Sequence, residues 1–316
     1  MNEKSLEVLQ KKARRVYFWA IFFSAAVFLA IVSPVFFLLL TTPSGMAYLK
    51  ESPAEMLVGI ICLPALLAGG IYFLLYHLLV RRTYEAFNQA FKCTYVLQTV
   101  GELDGFEKLA YSPSGSFGYN EIRDSLVVNS GEAQYFKSED QLAGTFCSIP
   151  FVYGDVVTRY MKRNGKKSEL RIIFHGQIMR FSLPKDSKWS FGHLQIFEKE
   201  FLSNFKGRTA PYQVQTENEA FNQRFEVFAA DEHNAFYLLT PRMLEQIVRF
   251  ADFAGSQIAL TFVGPTLYVA VDRSRSMFDA SVRKPLKEQR QQILDDANLL
   301  KRAGEMLVFG ADALYS

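Results

Sequence analysis

The chain has 316 residues, three cysteines and a formal net charge of +3. Residues 1–82 hold eight of its 35 Lys and Arg and four of its 32 Asp and Glu, which leaves 27 basic against 28 acidic residues in the remainder. That near-neutral balance excludes nucleic acid as an expected partner, because nucleic-acid binding needs a strongly basic face. The odd cysteine count, without a CxxC pair, predicts no metal or cofactor site, and free thiols suit a reducing cytoplasm.

Two long apolar runs lie near the N-terminus. Val16–Leu40 and Leu57–Val80 contain no Asp, Glu, Lys or Arg. As helices rising about 1.5 Å per residue, each is long enough to cross a hydrocarbon core of about 30 Å. We therefore predict a transmembrane hairpin over residues 1–82. A cleaved signal peptide is the alternative for the first run, but its apolar core would be only about 7–15 residues long.

The charges around these runs predict their orientation. The loop between the runs contains one basic residue, Lys50, and two acidic residues, Glu51 and Glu55. The residues that precede the first run or follow the second are strongly basic: Lys4, Lys11, Lys12, Arg14, Arg15, Arg81 and Arg82. The positive-inside rule then places both termini, and everything after residue 82, in the cytoplasm.

The composition of the runs favours an anchor over a conducting pathway. Pores and transporters usually carry ionisable groups within their spans, and here His77 is the single candidate. Ala65, Gly69 and Gly70 allow close packing of the two helices, or of one hairpin on another copy. The lipid membrane is therefore the first expected partner, together with a protein partner or a homo-oligomer, and a channel subunit is the weakest alternative.

A helical stalk and a series of short strands follow. Residues 83–100 keep helical spacing, and a turn-rich segment then surrounds a short strand at Leu109–Tyr111. Tight turns are expected at Asn164-Gly165 and at His175-Gly176. Further strands are predicted at Ser125–Val128, Ala133–Phe136, Leu142–Ile149, Asp155–Met161, Leu170–Phe174 and Ile178–Leu183.

The C-terminal part alternates strands and helices. Strands are predicted at Phe225–Ala229 and Ala235–Leu239, and a hairpin turning at Gly264-Pro265 is predicted over residues 258–271. Thr240 is expected to cap a helix that ends at Gly255. An amphipathic helix over Pro285–Ala303, with Asp295 and Asp296 on its polar side, precedes a tail over residues 304–316. The fold class is therefore α+β, with a cytoplasmic domain over residues 101–303 built on antiparallel sheet.

Two stretches of this domain have similar sequences. Residues 171–183 align with residues 259–271 at a constant offset, which matches Phe174 with Phe262 and Gly176 with Gly264. One interpretation is an internal duplication. The other is that the two stretches arose independently, because alternation is required of any half-buried strand.

Several short motifs follow the two N-terminal spans in a fixed order: Tyr111-Ser-Pro, Ser138–Gly144, Ile172–Gly176, Phe225–Asp231, Tyr237–Pro241 and the hairpin at Phe262–Val271. In this order they resemble a bacterial membrane-protein family catalogued as domain of unknown function 3137. His175 stands where the family is associated with lysine. The resemblance implies a cytoplasmic mixed domain on a hairpin in the bacterial inner membrane. It implies no activity and no catalytic residues.

One side-chain cluster has the composition of an acid/base site. Asp231, Glu232 and His233 together offer two carboxylates and an imidazole, which would suit a membrane-tethered hydrolase. The alternative is a polar turn between two strands, which places such residues in water. No HExxH, GxSxG, phosphate-loop or dinucleotide motif accompanies the cluster, so we expect no catalytic residues.

A basic segment surrounds the predicted Asn164-Gly165 turn. Its members are Arg159, Lys162, Arg163, Lys166, Lys167 and Arg171. The segment is expected either to be a solvated hairpin tip or to contact anionic headgroups, each charge contributing about 1 kcal/mol near the surface. The favoured function is interaction, scaffolding or sensing at the membrane face, and the membrane-tethered hydrolase is the alternative.

Overall fold

The computed structural model describes residues 3–43, 53–115, 117–165, 167–183, 191–202 and 209–315. Most of the loop between the apolar runs, at residues 44–52, and Lys166 of the basic segment therefore lie outside the described residues. The chain divides into two compact units. The helical unit comprises the residues up to Tyr95 together with Ala280–Gln289, and the sheet domain comprises Val96–Asp279 and the residues from Arg290 onward.

The helical unit contains two helices that are long and apolar enough to span a membrane by length and composition. The first is α1, Glu3–Thr41. The second begins as α2, Pro53–Leu75, and continues through a π-helical turn at Tyr76–Val80 into α3, Arg81–Ala90. Small buried residues of α1, among them Ala13, Ala20 and Ser24, allow it to pack along the second helix. A further π-helical segment, Phe91–Val96, leads to α4, Leu97–Gly101.

Nine strands and six helices are described in the sheet domain after α4. The strands are β1 Phe106–Ser114, β2 Lys137–Phe146, β3 Ile149–Asn164, β4 Lys167–Ser182, β5 Phe191–Glu198, β6 Tyr212–Val214, β7 Phe225–Ala229, β8 Ile258–Gly264 and β9 Thr266–Val271. The helices are α5 Tyr119–Ser125, α6 Lys199–Leu202, α7 Glu219–Arg224, α8 Glu232–Leu238, α9 Pro241–Ala254 and α10 Leu286–Tyr315, whose first residues belong to the helical unit.

The strands form one antiparallel sheet in the order β1-β2-β3-β4-β9-β8-β5-β7-β6. A row of directly opposed, buried apolar side chains crosses it from β2 to β6. The row runs through Leu142, Tyr153, Met179, Val269, Leu260, Ile196, Val227 and Val214. Because opposed residues share one face, this row is the spine of that face of the sheet. The predicted α+β class with antiparallel sheet is confirmed.

The other face of the sheet is also covered. Val156, Ile178 and Ala270 there belong to a buried apolar cluster that includes Ile122 of α5 and Phe201 of α6. Burial on both faces explains why the central strands are near-continuous apolar runs and do not alternate with polar residues.

Local signals predicted several elements correctly. Thr240 Oγ1 accepts a hydrogen bond from the Met243 N–H, and Gly255, at φ +59°, ends α9. β8 and β9 pair up to Val263 and Thr266, so their hairpin turns at Gly264-Pro265. β3 and β4 form the second predicted hairpin, since Asn164 pairs with Lys167.

Three predicted strands are wrong. For the predicted strand Ser125–Val128, Ser125 is instead the last residue of α5. The helix ends there because Leu126 adopts the left-handed conformation at φ +56°. Ala133–Tyr135 is a single 3-10 turn. Ala235–Leu239 lies mostly in α8, where the buried residues 235, 238 and 239 have helical spacing. A short apolar run does not by itself distinguish a strand from a buried helical turn.

Two turns differ from prediction. Leu142–Ile149 contains an unpredicted hairpin turn, because Phe146 pairs with Ile149 and both residues between them have positive φ. The turn predicted at His175-Gly176 is wrong, since both residues lie within β4. Of the two aligned stretches, residues 259–271 form a hairpin, whereas residues 171–182 lie in the single strand β4. The fold therefore gives the proposed duplication no support. The C-terminal helix continues to Tyr315, past the predicted end at residue 303.

Gly176 is glycine because another backbone approaches it. A Cβ atom at this position would lie 2.0 Å from the carbonyl oxygen of Val271 in β9. The obstacle is backbone, so it cannot rotate away, and β4 and β9 would have to separate for any larger residue to fit.

We predict that Gly176→Ala destabilises the sheet domain. Overpacking of this kind costs about 1–3 kcal/mol and occasionally more, so the thermal unfolding midpoint of the full-length protein in detergent should fall by several degrees. Gly118→Ala is the matched control, because Gly118 has an ordinary φ of −77° and no atom within 4 Å of an added Cβ. Equal midpoints for Gly176→Ala and the control would contradict the prediction.

Candidate functional site

The hairpin of β3 and β4 extends beyond the rest of the sheet. β2 pairs with β3 only as far as Val157, and β9 pairs with β4 only from Gln177. Residues 158–176, except Lys166, therefore have strand partners only within the hairpin, and we call this part the arm. At its base, the carboxylate of Glu132 accepts a hydrogen bond of 2.8 Å from the Met161 N–H.

The arm carries the predicted basic segment. Lys162, Arg163 and Lys167 are exposed and Arg159 is half-buried. Arg171 is paired with Glu169 at 2.9 Å, whereas no carboxylate of the described residues forms an ion pair with the other four. The structure thus brings together on one projection all the basic residues predicted for this site that it describes.

The two faces of the arm differ in chemistry. On one face, Met161 lies opposite Leu170 and Arg159 lies opposite Ile172, while Arg163 is nearer the tip. Leu170 is 44% exposed and Ile172 is 57% exposed. This apolar face of the arm therefore presents unburied aliphatic side chains flanked by two guanidinium groups. The opposite face carries Tyr160, Lys162, Asn164, Lys167, Glu169 and Arg171.

The predicted acid/base cluster lies at the start of α8. Asp231 Oδ1 accepts a hydrogen bond of 2.9 Å from the His233 N–H, which is the geometry of a helix cap. The His233 ring meets Tyr237 edge-on at 5.4 Å, and all three cluster residues are exposed. The acidic residues Glu139 and Asp140 belong to β2, near the opposite edge of the sheet, and do not join this cluster. Among the described residues, no group of three or more His, Cys, Asp or Glu could hold a metal ion.

Sequence patterns missed a buried polar cluster around the segment after β9. Asp155 is 2% exposed and accepts hydrogen bonds from the Met277 N–H at 2.8 Å and from Gln177 Nε2 at 3.0 Å. Gln177 Nε2 also donates to the Arg275 carbonyl at 2.5 Å. We call Asp155, Gln177, Arg273, Arg275 and Asp296 the polar clamp.

Asp296 is the second carboxylate of the polar clamp. It is 1% exposed, although its sequence position predicts the polar side of the helix. Arg273 Nη1 donates to it at 3.1 Å, Arg275 forms an ion pair with it, and the Phe278 N–H donates to it at 3.2 Å. The clamp therefore holds residues 273–278 through backbone and guanidinium groups, which is a structural role.

Burial perturbs the ionisable groups of the polar clamp. It raises the pKa of Asp155 to about 7, against the opposing effect of the hydrogen bonds from Gln177 and Met277. It also raises the pKa of Asp296, with the Arg275 guanidinium opposing that shift. Tyr153, whose buried hydroxyl has no hydrogen-bond partner among the described residues, has its pKa raised well above 10 by burial.

We predict that Asp155 makes stability fall as pH rises. Its carboxyl binds a proton in the folded protein up to about pH 7 but releases it near pH 3.8 when unfolded. The contribution of Asp155 to the free energy of unfolding is therefore largest below the pKa of the unfolded state. This contribution, roughly 4 kcal/mol, is lost as the pH rises from about 4 to 7. Asp155→Asn, which keeps the shape and an acceptor oxygen, should flatten the dependence of the unfolding midpoint on pH in that window.

The matched control for this prediction is Asp295→Asn. Asp295 is exposed on the same helix as Asp296 and has the same charge. The control should reproduce the wild-type profile because its side chain stays in water. A profile for Asp155→Asn that is parallel to that of the wild type between pH 4 and 7 would refute the role of Asp155.

Two surface cavities of the sheet domain contain ion pairs. In a cavity of about 610 Å³ lined by Lys199 and Gln223, Arg224 donates to Glu198 at 2.7 Å and to Asp252 at 2.5 Å. A second cavity, of about 440 Å³, lies between α9 and α10. Its lining Arg249 and Arg302 pair with Glu245 and Glu305 on their own helices. The arm carries four basic residues without an ion-pair partner among the described residues, so it is the stronger candidate.

The described parts of the chain thus define a class of protein with two apolar N-terminal helices and a nine-stranded antiparallel sheet domain. Residues 172–307 match the model of the family described as Protein of unknown function (DUF3137). The match confirms the resemblance over those residues. No curated protein and no solved structure matches the chain.

Proposed function

We propose that the protein is anchored in a bacterial inner membrane by two spans, with both termini and the sheet domain in the cytoplasm. The length and composition of α1 and of the second helix support this proposal. So does the surface of α1, where Trp19, Phe22 and Phe37 are all more than half exposed to solvent. Apolar surface of this extent is stable in lipid and unfavourable in water. The basic residues beside both helix ends support the orientation.

Reporter fusions test this topology. A phosphatase that is active only outside the cytoplasm should be inactive when fused after Arg82 and active when inserted between Thr41 and Met56. A fluorescent protein that folds only in the cytoplasm should give the reverse pattern. An active phosphatase after Arg82 would contradict the proposed orientation.

The sheet domain is proposed to act as an interaction module whose arm contacts anionic lipid headgroups. The observation that carries this proposal is that the arm projects beyond the sheet and exposes Lys162, Arg163 and Lys167 together with Leu170 and Ile172. Basic residues near an anionic membrane each contribute about 1 kcal/mol, and exposed aliphatic side chains add favourable burial at the interface. A protein partner or a second copy would use the same surface differently, since it would bury the apolar face against side chains.

We predict that replacing Lys162, Arg163, Lys166 and Lys167 with Glu abolishes function in a deletion strain. Four reversals remove roughly 4 kcal/mol of headgroup attraction, or more if repulsion is included. The comparison variant carries Asp231→Ala, Glu232→Ala and His233→Ala, and it should complement normally. The hydrolase alternative expects the opposite ranking, because losing a general acid/base costs about 10²–10⁴-fold in rate. Inactivity of the comparison variant alone, with both proteins folded, would overturn the proposed function.

A cross-linking experiment identifies what the arm touches. A photoreactive side chain in place of Ile172, in the full-length protein in cells, should form adducts with lipid. The same group in place of Tyr237, which is 55% exposed on α8, is the control and should not. Protein adducts at position 172 without lipid adducts would contradict lipid as the partner of the arm.

A further inference from the structure

The segment between β9 and α10 is fastened within the helical unit. Gln10 Nε2 of α1 donates to the carbonyl oxygens of Ser281 at 2.9 Å and Lys284 at 2.7 Å. The Tyr84 hydroxyl of α3 donates to the Ala280 carbonyl at 3.1 Å. These bonds hold the backbone of residues 280–284 against both helices, and the Arg283 side chain extends from this fixed backbone.

Arg283 meets an aromatic ring at the start of the first apolar run. Its Nη2 donates to the Tyr17 hydroxyl at 2.5 Å, and its guanidinium carbon lies 5.1 Å from the Tyr17 ring centroid. A cation–π contact and a hydrogen bond to the same tyrosine restrict the position of the guanidinium group. No carboxylate of the described residues forms an ion pair with Arg283, and the hydrogen bond to Tyr17 uses only one of its several N–H donors.

A cavity of about 250 Å³ lies beside this guanidinium group. Its lining contains one cation, three tyrosines and no acidic residue: Ala13, Tyr17, Tyr76, Val80, Tyr84, Ala280, Ser281, Val282 and Arg283. Tyr76 and Val80 are the first and last residues of the π-helical turn, a rare conformation that is frequent at functional sites. The cavity therefore combines hydroxyl groups with an uncompensated positive charge, and an anion would complete it.

The sequence places this cavity at the boundary between apolar and basic residues. Tyr17 is at the start of one apolar run and Val80 is at the end of the other. On the proposed topology, on which this inference rests, both lie at the headgroup level of the cytoplasmic leaflet, where tyrosine and arginine are favoured. We propose that the cavity binds the phosphate of an anionic phospholipid, with Arg283 as the principal phosphate ligand.

The size of the cavity fits a headgroup better than a complete small-molecule ligand. Small-molecule pockets usually measure about 300–1,000 Å³, and this cavity is smaller. The acyl chains of a bound lipid would lie outside it, along exposed apolar side chains such as Leu78 and Leu79. Free phosphate esters share the headgroup chemistry but lack the chains, so they should bind more weakly.

Lipid retention by the full-length protein tests this site. Wild-type protein and Arg283→Gln would be released from nanodiscs containing equal phosphatidylglycerol and phosphatidylcholine, and bound lipid would be counted by native mass spectrometry. We expect wild type to retain phosphatidylglycerol selectively and Arg283→Gln to retain about tenfold less, the effect of losing one charged hydrogen-bonding group. Lys284→Gln is the matched control, because Lys284 is an adjacent exposed cation outside the cavity lining, and it should retain lipid like the wild type.

Three results would overturn the proposal. They are equal retention of the two lipids by wild type, equal retention by Arg283→Gln and wild type, or an equal loss in Lys284→Gln and Arg283→Gln. Displacement of phosphatidylglycerol by an equal concentration of soluble glycerol phosphate would assign the cavity to a free phosphate ester and overturn the lipid assignment. If Arg283→Gln does not fold, Tyr17→Phe replaces it, because it removes the hydroxyl partner of Arg283 and keeps the ring, and retention equal to that of Lys284→Gln would then overturn the proposal. The reporter fusions and the arm variants do not depend on this cavity, so failure here leaves those tests unaffected.

Discussion

The burial of two carboxylates determines the course of the chain after the last strand of the sheet. Asp155 and Asp296 are removed from water, and each accepts a backbone N–H from the segment that follows β9. A buried carboxylate without such donors would cost several kcal/mol, so alternative paths for this segment are strongly disfavoured. The same segment continues along the chain into residues 280–289, which belong to the helical unit. The polar clamp therefore fixes the point at which the chain leaves the sheet domain.

The sheet order places the two halves of the β3–β4 hairpin in different surroundings. The inner halves of β3 and β4 lie between β2 and β9, and most of their side chains are buried. The outer halves have no strand neighbours outside the hairpin, and toward the tip the aliphatic side chains of Leu170 and Ile172 are exposed. Because the buried halves anchor the hairpin, the arm can expose Leu170 and Ile172 without loss of its own structure.

The residues that match the family model include part of the polar clamp and part of the proposed lipid cavity. Residues 172–307 include Arg273, Arg275 and Asp296 of the polar clamp, whereas Asp155 precedes them. The same range includes Arg283, while Tyr17, Tyr76 and Tyr84 of the proposed lipid cavity come from the N-terminal helices. Each site is thus completed by residues from outside the matched range, and for that reason a function of the matched domain alone would describe this protein incompletely.

The sequence by itself determined the features that depend on neighbouring residues. Two charge-free apolar runs predict long helices, Thr240 and Gly255 fix the ends of α9, and Asn164-Gly165 marks a hairpin turn, because hydrophobic length, capping and turn chemistry act within a few residues. The basic residues of the arm were found for the same reason. Tertiary structure alone decided that Gly176 lies within a strand, that residues 232–238 are helical and that Asp296 is buried. Each of these depends on contact with a segment distant in sequence, for Gly176 the carbonyl of Val271 and for Asp296 the guanidinium groups beyond β9. Such contacts leave no periodic pattern in the sequence, since only the folded chain brings the partners together.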